Sequence, residues 1–141
     1  MKPLFWGVAF VSVAALLVVI VLGVYLRLAT TVIGDFVSPD GKHDAVLTVR
    51  NGGAAGGYST DVSLVRVHIP LARQIALLES GDLFVIDDND GAVRWGDRGQ
   101  LDMKVRWVSN SELLIQYPAR ARVFKEVSSY ESTTVRYERV Q

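Results

Sequence analysis

Cysteine is absent from the 141 residues, which excludes disulfide scaffolds, zinc fingers and thiol enzymes at once. An excess of one charge sign is lacking too, since fifteen Lys and Arg face fifteen Asp and Glu. A nucleic-acid binder would carry a clear basic surplus, so that class is set aside. Half of the residues are hydrophobic, too many for a disordered tail. Histidine is scarce: His43 and His68 are the only two, and no helix sets them at i, i+4 spacing. Both read as surface residues, and no metal-ligand set can be assembled around them.

Nucleophile signatures are lacking as well. Gly57-Tyr58-Ser59-Thr60-Asp61 is not G-x-S-x-G, and two unplaced histidines make no triad. In the glycine-rich stretch 51–57, Asn51 stands where G-x-G-x-x-G needs its first glycine, and no Lys-Ser or Lys-Thr follows for a P-loop. The run Asp87, Asp88, Asn89, Asp90, Gly91 invites a calcium loop. With Gly91 at position 6, however, the first ligand position falls on Ile86 and the twelfth on Asp97 rather than Glu. A solvated turn is the better reading. Adjacent Asp87 and Asp88 would point to opposite faces of a strand and make no acid–base pair. The chain is therefore not expected to be an enzyme, and no cofactor or metal is expected.

One stretch lacks charge altogether. Residues 4–26 contain no ionisable side chain apart from Tyr25, and residues 1–27 carry only Lys2 and Arg27. As a helix those twenty-three residues would be about 34 Å long, enough to cross a ~30 Å hydrocarbon core. Trp6 and Tyr25 near its ends suit the headgroup level, and Arg27 closes the segment. No polar stripe is available for solvent, so the sequence predicts a transmembrane helix in contact with the lipid bilayer. The apolar run is longer than a signal-peptide core and meets no small-x-small cleavage site before Tyr25-Leu26-Arg27. Residues 1–30 are thus read as a retained signal anchor. Lys2 and the amino terminus tip the positive-inside balance toward a cytoplasmic N-terminus, with the larger domain outside.

Residues 35–141 read as that domain. Residues 28–34 look like a short tether, and Ser38-Pro39-Asp40-Gly41-Lys42 is a turn built by Pro and Gly. Alternation then predicts strands at 45–50 and 60–68, paired as a hairpin across the glycine loop. Pro70 followed by Leu71, Ile75 and Leu78 fits one short helix. Further strands are predicted at 83–86, at 101–107 (Leu101, Met103, Val105 and Trp107 on one face), and at 113–117. A last pair is predicted at 123–127 and 133–140, joined through residues 128–132. Seven or eight short strands predict a mostly β fold: a small antiparallel β-sandwich or barrel-like domain behind one N-terminal helix.

Charge in this part is segregated. Residues 79–102 hold seven acids and two arginines, whereas residues 104–139 hold seven bases and four acids. Such blocks either pair across neighbouring strands or form two faces for a charged partner. The candidate partner surface combines the 51–60 loop (Gly52, Gly53, Tyr58) with the acidic turn (Asp87, Asp88, Asp90) and Arg94 with Trp95. Glycine-rich tips reshape cheaply, and an aromatic flanked by Arg94 and Arg98 is a mix enriched at interface hot spots. The alternative is that the loop is a disordered connector and Trp95 tucks into the core.

The Ser38-Pro39-Asp40-Gly41-Lys42 turn, the loop from Asn51 through Gly57, and Ser59-Thr60-Asp61-Val62-Ser63 resemble a group of small bacterial envelope proteins of unknown function. Val105-Arg106-Trp107-Val108-Ser109 and Leu113-Leu114-Ile115-Gln116-Tyr117 resemble their closing hairpin. This chain departs from them at Gly52, where the loop usually has cysteine, and in an uncleaved helix in place of a lipid anchor. The resemblance implies a bacterial domain anchored in the inner membrane and facing the periplasm, and it implies no catalytic residue.

The expected function is a periplasmic protein-binding module, for example an immunity-type protein that neutralises a toxin. A subunit or assembly factor of a cell-envelope complex is the second expectation, although residues 4–26 contain no G-x-x-x-G. An enzyme or small-ligand sensor comes third.

Overall fold

The computed structural model describes residues 12–21, 29–53, 57–67 and 81–141. Residues 12–21 form a helix whose apolar side chains are exposed on every side, from 51% at Ile20 to 67% at Val21. No helix among the described residues is long and apolar enough to cross a membrane. Trp6, Tyr25 and Arg27 lie outside the described residues, as do His68 and the helix expected after Pro70.

The domain is mostly β and built from two sheets. Strands β1 (Thr30–Val37), β2 (His43–Asn51), β3 (Tyr58–Arg66), β4 (Phe84–Asp87) and β7 (Arg122–Glu126) form the first in that order. The second runs β5 (Lys104–Ser109), β6 (Glu112–Pro118), β9 (Thr133–Val140), β8 (Ser129–Tyr130). All neighbours are antiparallel except β6 and β9, which run parallel. The period-2 pattern explains the core between the sheets. Ala45, Leu47, Val62, Leu64, Phe84 and Ile86 point inward from the first sheet and meet Val105, Leu113, Ile115, Tyr117 and Val135. Phe84 sits at the centre, with ring centroids 4.8 Å from Tyr117 and 4.9 Å from Tyr137. The face of β2–β3 turned away from this core is buried as well, at Val46, Thr48, Asp61 and Ser63.

Four expectations are corrected. The tether of residues 28–34 is largely strand: the β-branched run Thr30, Thr31, Val32, Ile33 opens β1, which pairs with β2 from Thr30 onward. A bulge between Val32 and Gly34 breaks the alternation, so Ile33 and Phe36 both pack on the core. The strand expected from residue 101 begins at Lys104, and Leu101 is instead buried ahead of it, its N–H donating to the Thr60 hydroxyl at 3.1 Å. The expected last pair is split between the sheets, β7 against β4 and β9 against β6. Tyr137 spans that split: its hydroxyl donates to the Val127 carbonyl at 2.7 Å and accepts the Val127 N–H at 3.2 Å. Finally, His43 is not a surface residue. Its side chain is 12% exposed, stacks on Trp107, and holds Nε2 3.5 Å from Glu131. Trp107 packs against the core as its alternation suggested, with its indole N–H donating to the Phe36 carbonyl at 2.7 Å.

Between the two β-hairpin regions, Gly81 approaches so closely that an added Cβ would lie 2.9 Å from the Asp61 Cβ and 2.7 Å from the Phe84 carbonyl oxygen. Beside it, Asp82 accepts the Leu64 N–H at 2.9 Å. Burial raises the Asp82 pKa above its ordinary value, more than the Leu64 and Ser63 hydrogen bonds and the Lys125 charge lower it. A carboxyl with a raised folded-state pKa favours folding below the unfolded value, and that contribution is lost as pH rises through the folded value. Asp82→Asn, which keeps the acceptor for Leu64, is therefore expected to stabilise the domain at neutral pH. The advantage should shrink as the pH falls into the ordinary aspartate range. Urea unfolding of both proteins across that range checks this, and a pH-independent difference would contradict it.

Candidate functional site

Strand register brings one set of chain ends together. Thr30 opposes Arg50, Asn51 opposes Tyr58, Thr60 opposes Ile86, and Asp87 opposes Arg122. The end of the sandwich at which the chain enters β1 thus carries the glycine loop, the acidic turn after β4 and the start of β7. The link from Pro118 to Arg122 brings the ends of β6 and β9 to the same region, because Pro118 opposes Val140.

The acidic turn follows from its residues. Asn89, Asp90 and Gly91 have φ of 51°, 56° and 86°, a left-handed run that Asn, Asp and Gly tolerate best. The carboxylates of the preceding aspartates hold it. Asp87 accepts the Asn89 N–H at 2.8 Å, and Asp88 accepts the Gly91 N–H at 3.1 Å. Their remaining valences go opposite ways, as adjacent residues at a strand end require. Asp87 takes a bidentate pair from Arg122, with Nε 3.1 Å from each oxygen, and Asp90 lies 3.3 Å from the same guanidinium. Those charge-assisted bonds keep Arg122 protonated, Asp87 contributing most, and the guanidinium also lies over the Phe124 ring at 5.2 Å. The acidic and basic blocks of the sequence therefore meet across β4–β7 instead of forming separate faces there. Asp88 turns the other way and accepts the Trp95 indole N–H at 3.0 Å.

Trp95 is consequently half-buried and packed against the core, not a free-standing anchor. Its ring meets Tyr58 edge-on, with centroids 5.9 Å apart, and Tyr58 stays 50% exposed. At the base of the loop the Gly52 N–H donates to the Gly57 carbonyl at 2.7 Å, and Asn51 accepts the Gly53 N–H at 2.9 Å. Residues 54–56 lie outside the described residues. Gly52, Gly53, Tyr58, Asp88 and Trp95 thus belong to one connected patch. Asp87 and Asp90 are tied to Arg122 beside it, and Arg94, next to Trp95 in sequence, is exposed.

Sequence reasoning missed Arg120 and Arg122. The signal for Arg122 was present, because an acidic block followed by a basic block of similar size fits two paired strands. Among the described residues no group of three or more His, Cys, Asp or Glu is arranged to hold a metal ion. Comparison with known proteins gives no match: no protein-family model, no curated protein and no solved structure is similar to this chain.

Proposed function

We propose that the chain is a single-pass protein of a bacterial inner membrane whose periplasmic β-domain binds a protein partner through the Tyr58–Trp95 patch. The observation that carries this reading is the assembly of that patch: an exposed tyrosine and a half-buried tryptophan, oriented by Asp88 and bordered by glycines. Preorganised aromatics with a polar rim are the usual anchors of protein interfaces. Support for the anchor comes from residues 12–21. The six residues Leu16 to Val21 progress by about 100° each and are all exposed, so this helix has no polar face to offer water. The transmembrane reading of residues 4–26 supplies the apolar surroundings it needs.

From Leu26 to Thr30 is four residues, at most about 14 Å of extended chain, and Thr30 opens the end of the sandwich that bears the patch. A partner would therefore engage close to the bilayer surface. An immunity-type role suits that geometry, because a binder held there meets a toxin where it would damage the membrane.

The test uses the full chain as bait, with partners recovered from envelope extracts. Tyr58→Ala is the sharper variant, since Tyr58 is exposed and its loss leaves the core intact. Trp95→Ala is expected to lose about 2 kcal/mol or more of binding, and Tyr58→Ala somewhat less. Equal affinity for wild type and a folded Tyr58→Ala variant would remove this patch from consideration. Alkaline phosphatase fused at the C-terminus should be active, and an inactive fusion would reverse the orientation.

A further inference from the structure

The Tyr58–Trp95 patch holds one negative charge that the fold leaves unmatched. Asp88 uses a single oxygen, Oδ2, to accept the Trp95 indole N–H at 3.0 Å and the Gly91 N–H at 3.1 Å. Both donors are neutral, so they orient the carboxylate without cancelling its charge. Among the described residues its Oδ1 has no hydrogen-bond partner, and Asp88 has no ion-pair partner. The side chain is only partly buried. The cations around it are engaged or placed elsewhere. Arg122 is held between Asp87 and Asp90. Arg94 lines a hollow with Val93, Pro118, Arg120 and Val140. Arg98 is exposed and follows Asp97 in sequence. Residues 87–98 carry four acids against two arginines, and Arg122 brings the cations only to three.

We infer, resting on that patch as the partner surface, that it receives an arginine side chain of the partner, with the guanidinium on Asp88 and the stem along Tyr58. A planar guanidinium is a forked donor that fits a carboxylate, and it also stacks on aromatic faces. The patch offers both side by side. Asp88 and Tyr58 touch the same Trp95 indole, one at its N–H and the other through ring contact with centroids 5.9 Å apart. Tyr58 is 50% exposed, so ring surface remains for a methylene stem or a cation. The indole N–H is already given to Asp88, so at the tryptophan the patch meets a ligand with an acceptor rather than a donor. The carboxylate is also placed in advance, because the same oxygen ties down Gly91 in the left-handed run of the turn. Arginine is itself enriched at hot spots, which pair with hot spots across an interface.

The experiment titrates the full chain in a neutral maltoside detergent and follows the NMR shifts of the Trp95 indole N–H and the Tyr58 ring. The probes are acetyl-arginine amide, acetyl-citrulline amide (the same shape without the charge) and acetyl-lysine amide (the charge without the planar fork). The arginine amide is expected to bind roughly tenfold more tightly than the citrulline amide, with the lysine amide between them. Asp88→Asn keeps an acceptor for Trp95 and Gly91, and should erase the preference for arginine over citrulline. An unmoved Trp107 indole signal checks that this variant is folded. In the wild type, added sodium chloride should shrink the same preference. Equal binding of the arginine and citrulline amides overturns the site, as does a preference that survives Asp88→Asn. So do a lysine amide bound as tightly as the arginine amide, and shifts that avoid Trp95. A recovered partner that is weakened by Tyr58→Ala but binds Asp88→Asn as tightly as wild type overturns the arginine contact and keeps the patch. Arginine-selective binding in a chain whose partner ignores Tyr58→Ala keeps the site and overturns the partner surface.

Discussion

Replacing Phe84 by alanine is expected to remove about 3–5 kcal/mol of folding stability. Phe84 is fully buried and stands on β4 in the first sheet, while the rings it touches, Tyr117 and Tyr137, belong to β6 and β9 in the second. The phenyl ring is thus the main aromatic contact across the sandwich, and alanine leaves a void that two tyrosines with anchored hydroxyls cannot move to fill. Arg139 donates to the Tyr117 hydroxyl at 3.0 Å, and Val127 holds that of Tyr137, so both rings are fixed at their outer ends. Single domains have only about 5–15 kcal/mol in total, so this loss is a large share of the stability. Urea unfolding followed by tryptophan fluorescence gives the figure directly. Phe84→Leu should lose much less, and a loss below about 1 kcal/mol for Phe84→Ala would mean that the sheets do not pack through this residue.

Arg50→Met should be nearly as damaging, at about 3 kcal/mol, through a different cause. Asp61 is fully buried on β3, and its Oδ2 lies 3.3 Å from the Arg50 Nε on β2. Its Oδ1 has no hydrogen-bond partner among the described residues, so the guanidinium is its main compensation. Removing the cation strands a carboxylate in a low-dielectric site, which costs more than the pair itself contributes. The double variant Arg50→Met/Asp61→Leu should therefore recover most of the loss. Unfolding free energies for both singles and the double close a cycle whose interaction energy isolates this effect. Additive losses, with no recovery in the double variant, would show that Asp61 does not depend on Arg50.

Local order made parts of this structure legible in the sequence and nonlocal order hid the rest. The turn at Ser38 to Lys42 and the hairpin across the glycine loop were readable because Pro, Gly and strict alternation act within a few residues. β1 was not, since its bulge gives Ile33 and Phe36 a shared face at a spacing of three. β9 was readable as a strand but not as a neighbour of β6, because parallel pairing leaves no signature in the intervening chain. The same limit applies to the candidate sites. Composition marked Tyr58 and Trp95 as surface candidates, yet their contact joins residues that β3 and β4 separate in sequence. Arg120 carried no sign of its environment, since its neighbours Val93 and Val140 come from other segments of the chain. The burial of both faces of β2–β3 was likewise hidden, because Thr48, Asp61 and Ser63 read as solvent-facing by polarity alone.

The parallel position of β9 also dictates when the molecule can mature. β6 pairs on one side with β5, available as soon as the hairpin of residues 104–118 is made, and on the other with a strand that comes fifteen residues later. During synthesis, β6 therefore waits with an unpaired edge until β9 is made. The second sheet cannot close before residues 133–140 are made. Non-local closure of this kind is slow, and the open β6 edge is the point at which a nascent copy would pair with the wrong strand.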